Sequence, residues 1–147
     1  MSQTQAGSVP HGTDAEEILE FGGLRFGVSL RAPGATLRVS GRVDGEWTEM
    51  LRFDDFVDQP HFHVPSSGPS IAFDRATGDP LAWYVAQVRD HLAELVEQAG
   101  FTSVLATVDL DEVAKGADRL TEAMEARVPD GCARVPGVGL QRVGAGA

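Results

Sequence analysis

The sequence predicts an α+β fold: an N-terminal antiparallel β-meander packed against a C-terminal helical hairpin, with a short terminal strand. Three observations carry that expectation. Apolar and polar residues alternate through residues 24–53, the period of strands with one wet face. Apolar residues then recur every three to four positions through 80–99 and again through 110–128, the period of amphipathic helices. Strand-like and helix-like segments also occupy separate parts of the chain, which favours α+β packing over βαβ units.

Residues 1–14, MSQTQAGSVPHGTD, carry small polar residues without periodicity and read as a flexible tail. They lack the basic region and apolar run of a signal peptide. Residues 144–147 read as a second tail, leaving 15–143 as one α+β domain. Leu24, Phe26, Val28 and Leu30 alternate with Arg25, Gly27, Ser29 and Arg31, a half-buried strand. A turn at Arg31-Ala32-Pro33-Gly34 leads to a second strand bearing Leu37, Val39 and Val43. Asp44-Gly45 marks a hairpin tip, and Trp47, Leu51 and Phe53 lie on the return strand.

The register follows from burial. A strict two-residue turn pairs Val43 with Glu46, which sets Val39 against Met50 and leaves Leu51 and Phe53 wet. A three-residue loop pairs Val43 with Trp47, Val39 with Leu51 and Leu37 with Phe53, giving one apolar face. The longer loop is therefore expected.

Residues 57–79 form a long connection rich in Pro, Gly and Ser, with short strands expected at 61–64 and 70–73. Connections of this length in small domains serve function or act as lids. Asp79 is the N-cap of a first helix and Pro80 suits its first position. Its buried stripe is Leu81, Tyr84, Val85, Val88, Leu92, Leu95 and Val96, and Gly100 stops it. Asp109 with Glu112 forms a capping-box pattern for a second helix. That helix carries Leu110, Val113, Ala117, Leu120, Met124 and Val128 and ends at Pro129-Asp130-Gly131. The segment CARVPGVGLQRV adds one or two short strands, with Pro136 favouring an edge.

The 147 residues are enough to bury a core without disulfides. A net charge of -10 disfavours nucleic acid and anionic membranes as partners and favours solubility. Cys132 is the single cysteine, so no intramolecular disulfide forms; a reducing, cytoplasmic location is expected. No apolar run approaches a membrane span.

The stretches LRFDDFVDQPHFHVP (51–65), DPLAWYVAQVRDHL (79–92) and VPGVGLQRV (135–143) resemble an uncharacterised family of small bacterial proteins. That resemblance implies a strand-rich front and a helical back, and no activity.

No nucleotide-binding loop, redox motif, complete metal motif or catalytic triad can be read from the chain. The glycines of Val135-Pro136-Gly137-Val138-Gly139 lack the context and the Lys of a phosphate loop. The densest polar cluster is Asp54, Asp55, Asp58, His61 and His63. On an extended His61-Phe62-His63 both imidazoles point to one side. With Asp58 or Asp54 they make a candidate set for Zn²⁺, Fe²⁺ or Mn²⁺ with positions left for water or substrate. The same residues also fit a rigid loop, bracketed by Pro60 and Pro65, whose rings are packed or solvated. Arg25, Arg31, Arg38, Arg42 and Arg52 fall on the face opposite the apolar one. Of these, Arg38, Arg42 and Arg52 are candidate contacts for an anionic ligand or acidic partner, or they pair with Glu46 and Glu49 across the strands. Trp83 lies at the margin of its helix stripe and is a candidate interface residue or packs under the 57–79 loop. Three readings follow: a binding or accessory protein acting through protein partners or a second copy; a small metal-dependent enzyme; or a small-molecule binder with a pocket between sheet and helices.

Overall fold

Alternation at residues 17–72 produces six strands. They are β1 (Glu17–Phe21), β2 (Leu24–Arg31), β3 (Gly34–Val43), β4 (Glu46–Phe56), β5 (His61–His63) and β6 (Ile71–Ala72). A computed structural model describes residues 15–31 and 33–143; both expected tails and Ala32 lie outside the described residues. The strands form one sheet in sequence order, each antiparallel to the next. The 57–79 connection thus extends the sheet by two strands and closes with a 3₁₀ turn at Arg75–Thr77.

The β3–β4 hairpin settles the register by a route the sequence reading did not take. Its tip is the strict two-residue turn: Val43 pairs with Glu46, with Asp44 at φ 52° and Gly45 at φ 82°. Two successive left-handed residues are what this tight turn requires, and Asp-Gly supplies them. A β-bulge then leaves Met50 unpaired between Ser40↔Glu49 and Val39↔Leu51. Beyond it Val39 meets Leu51 and Leu37 meets Phe53, so that part of the expected apolar face forms, with the extra residue in the strand and not in the turn. Trp47, before the bulge, pairs with Arg42 and not with Val43 and lies off that face. Met50 and Leu51 are both fully buried, as burial demands of a bulge that faces the core.

Two helices cover that face, α1 (Pro80–Gln98) and α2 (Leu110–Glu125), joined through a 3₁₀ segment at Thr102–Thr107 that the sequence reading missed. Asp79 caps α1 by accepting the Leu81 N–H, and Asp109 caps α2 by accepting the Glu112 N–H. Phe26, Val28, Leu37, Val39, Leu51 and Phe53 from the sheet meet Leu81, Tyr84, Val85, Val88, Leu92 and Val96 of α1. They also meet Val113, Ala117, Leu120 and Met124 of α2. Two expected members of the α2 stripe are misplaced. Leu110 is 47% exposed, because packing starts one turn later where Val113 meets Gly22 of the β1–β2 turn. Val128 lies past the helix, which ends at its cap Ala126.

Gly116 sits where α2 crosses β1. A Cβ there would lie 2.5 Å from the Phe21 ring. Gly116→Ala is therefore expected to destabilise by about 1–3 kcal/mol through overpacking, against a helix-propensity gain of about 1 kcal/mol. Urea unfolding of the two proteins measures the difference; a more stable variant would show that Phe21 moves aside freely.

The chain ends in a hairpin, β7 (Cys132–Val135) and β8 (Gly139–Arg142), which forms its own two-stranded sheet and joins no edge of the larger one. A buried charge pair docks it. Arg134 Nη1 donates to Asp55 Oδ2 at 2.7 Å and Nη2 to the Met124 carbonyl at 3.0 Å. Asp55 is fully buried, and burial pushes its carboxyl above the usual range while Arg134 holds it down.

Candidate metal centre

Asp54 belongs to the sheet face turned away from the helices. Its neighbours in β4, Phe53 and Asp55, point to the core side, so alternation sends its carboxylate the other way. Register then sets a row across four strands: Ser29, Thr36, Asp54 and His61 are successive cross-strand partners. A second row beside it holds Gly27, Arg38, Arg52 and His63. Period-two spacing puts His61 and His63 on the same side of β5, with ring centroids 5.3 Å apart.

Asp54, His61 and His63 each offer one ligand atom, and these atoms lie within 4.8 Å of one another. His61 Nε2 is 3.0 Å from Asp54 Oδ2 and His63 Nε2 is 3.8 Å from the same oxygen. Ligand atoms at the corners of a tetrahedron with bonds of roughly 2.1 Å stand about 3.4 Å apart, between those two distances.

Hydrogen bonds fix the ligand orientations. His61 Nδ1 lies 2.8 Å from the Gln59 carbonyl and His63 Nδ1 2.8 Å from the Gly68 carbonyl. A carbonyl oxygen can only accept, so each Nδ1 carries a proton, and Nε2 is the nitrogen each ring turns toward Asp54 Oδ2. Asp54 Oδ1 accepts from Thr36 Oγ1 at 2.7 Å and from Arg52 Nε at 3.2 Å. Oδ2 is buried and has no hydrogen-bond donor among the described residues, despite the close Nε2. Three potential ligand atoms thus converge on one point, an arrangement that could hold a metal ion. The backbone beneath is clamped from the core side, where the buried Tyr84 hydroxyl lies 3.1 Å from the Asp54 carbonyl and 3.2 Å from the His61 carbonyl. Burial raises the pKa of Tyr84, keeping the phenol protonated and able to donate there.

The other candidates lie elsewhere. Asp58 is outside the cluster; it is exposed and paired with Arg142, so among the described residues Asp54 is the one carboxylate that the fold brings to the histidines. Arg38 is held by Glu16 and Glu49, while Arg42 and Arg25 flank the Trp47 ring. Arg52 stands beside the cluster, directly opposite His63. Trp83 is half-buried against Phe62 and Phe73, under the 57–79 segment. Thr36 escaped sequence reasoning, since its hydroxyl reaches a carboxylate eighteen positions away.

A family model described as Domain of unknown function (DUF7700) matches residues 18–124. The chain belongs to the DUF7700 family. The DUF7700 span contains Thr36, Arg52, Asp54, His61 and His63 and ends at Met124, before the β7–β8 hairpin. Two of the stretches that resemble an uncharacterised family, 51–65 and 79–92, fall inside it; 135–143 does not. No curated protein and no solved structure matches the chain. Among the described residues no helix is long and apolar enough to cross a membrane.

Proposed function

We propose that this DUF7700 protein binds a divalent transition metal, Zn²⁺, Fe²⁺ or Mn²⁺, through Asp54, His61 and His63 and works through the positions the protein leaves open on it. The observation that carries this reading is the buried Asp54 Oδ2, without a hydrogen-bond donor among the described residues, facing the Nε2 atoms of two imidazoles. Two imidazoles and one carboxylate suit these ions, and three protein ligands are the number used where water or substrate completes the coordination. The His side chains are about one-fifth exposed, at 24% and 18%, so a small molecule can approach. A metal so held lowers the pKa of a bound water and polarises a carbonyl, which makes metal-dependent catalysis the activity to test. The acidic chain favours a small-molecule ligand over nucleic acid or an anionic membrane. The lone Cys132 suits a reducing compartment such as the cytoplasm.

Metal analysis of protein purified without an affinity tag is expected to find about one equivalent of a transition metal, or uptake of that amount on reconstitution. A protein that takes up none leaves the cluster as an imidazolium–carboxylate bridge and ends the metal reading. Thr36→Val is expected to weaken metal affinity by about 10–100-fold, because it frees the carboxylate to rotate. Competition against a chromogenic chelator measures that change; unchanged affinity would show that Thr36 does not orient Asp54.

A further inference from the structure

We infer that the metal centre takes a small-molecule carboxylate, bound with one oxygen on the metal and the other on the guanidinium of Arg52. The inference rests on the metal reading and adds the class of ligand to it. Charge is the first argument. Without metal, Asp54 and Arg52 balance, at a separation of 3.2 Å. A divalent ion held by one carboxylate and two neutral imidazoles leaves two positive charges beside a partly buried sheet face. Among the described residues, neighbouring acids do not answer that excess. Glu49 is engaged by Arg38 and Ser66, and Glu16 by Arg38.

Free donors are the second argument. Arg52 uses Nε for Asp54 Oδ1, and among the described residues its two terminal nitrogens have no acceptor. Its side chain is 30% exposed, on the same face as the histidines and directly opposite His63. Asp54 itself shows the span that is available: one of its oxygens meets Arg52 and the other the His nitrogens. A second carboxylate can bridge the metal and the terminal guanidinium nitrogens in the same way. Two planar oxygens matched to a planar fork is the geometry guanidinium groups recognise.

Room for the rest of the molecule is the third argument. A cavity of about 560 Å³ borders the centre at His61 alone, with Pro60, Ser70, Ala72 and Arg75 also in its wall. Ala72 is the cross-strand partner of His61, so its methyl lies beside the imidazole and leaves the space open.

The test uses the full chain loaded with Co²⁺, whose visible bands report coordination, with succinate as probe and its neutral diamide as control at matched ionic strength. Succinate is expected to shift the bands saturably and the diamide to leave them unchanged. Arg52→Gln, loaded with Co²⁺, is expected to bind succinate about tenfold more weakly or worse, and Arg52→Lys to recover part of the loss. Equal responses to succinate and diamide would overturn the inference, as would an Arg52→Gln protein that binds succinate like wild type. A Co²⁺-loaded protein indifferent to succinate overturns the inference and leaves the metal centre standing. Failure to take up Co²⁺ at all removes both.

Discussion

Zn²⁺ at a free concentration a hundredfold above its dissociation constant is expected to raise the thermal midpoint by about 10 °C. Binding to the folded state alone stabilises by about 2.7 kcal/mol at that excess, and a chain of this size gains roughly 3–4 °C per kcal/mol. The unfolded chain holds Asp54, His61 and His63 apart, since they converge only through the β4–β5 pairing. The same experiment on Asp54→Asn separates the site from adventitious binding. Asparagine keeps the shape and the acceptor for Thr36 but replaces the donorless oxygen with an amide N–H₂ facing the imidazole Nε2 atoms. The metal-free variant is therefore expected to fall within about 1 kcal/mol of wild type, with its metal-induced shift nearly abolished. Differential scanning fluorimetry with and without Zn²⁺ reads both quantities. A shift that persists in Asp54→Asn would place the ion somewhere else.

Arg134→Met is expected to cost about 3–5 kcal/mol at neutral pH and much less in mild acid. Arg134 is the partner that Asp55 has in the interior, and removing one member of a buried pair leaves the other uncompensated. Met124 loses a donor at its carbonyl as well. The pH dependence has a definite sign. Burial already raises Asp55 above its ordinary value of 3.8 in the folded protein, and Arg134 works against that rise. Without Arg134 the folded-state value climbs further. A raised group contributes stability that is present below its unfolded pKa and lost as pH climbs through its folded pKa. The deficit of Arg134→Met should thus shrink steadily from pH 7.5 toward pH 4.5. Urea unfolding of both proteins at three pH values measures it. A deficit independent of pH would mean that the loss is one of packing alone.

Much of the fold is legible in the sequence because its signals are local. Asp79-Pro80 and Asp109 with Glu112 start helices where caps can act, and the stripe through Tyr84 and Val88 is buried as its spacing requires. The bulge was not legible, since turn and strand can each absorb one residue and still bury Leu51 and Phe53. Pro136 and the glycines suit an edge strand, but the docking of the terminal hairpin depends on Asp55, at a sequence separation of 79. The candidate site divides in the same way. His61 and His63 follow from alternation alone. Choosing Asp54 over Asp58 requires the β4–β5 register, which only the folded sheet supplies. Thr36 is chemically ordinary until β3 sets its hydroxyl against a carboxylate.

Met50 gives this stretch of chain a spare residue. Were the ladder unbroken from the Asp44-Gly45 tip at its present length, Asp54 would face Ala35 and enter the core. Losing any one residue between the tip and Leu51 would instead yield a plain hairpin in which the acid still meets Thr36. Relatives are therefore expected in two lengths here, one residue apart, with the acid and both imidazoles retained in each.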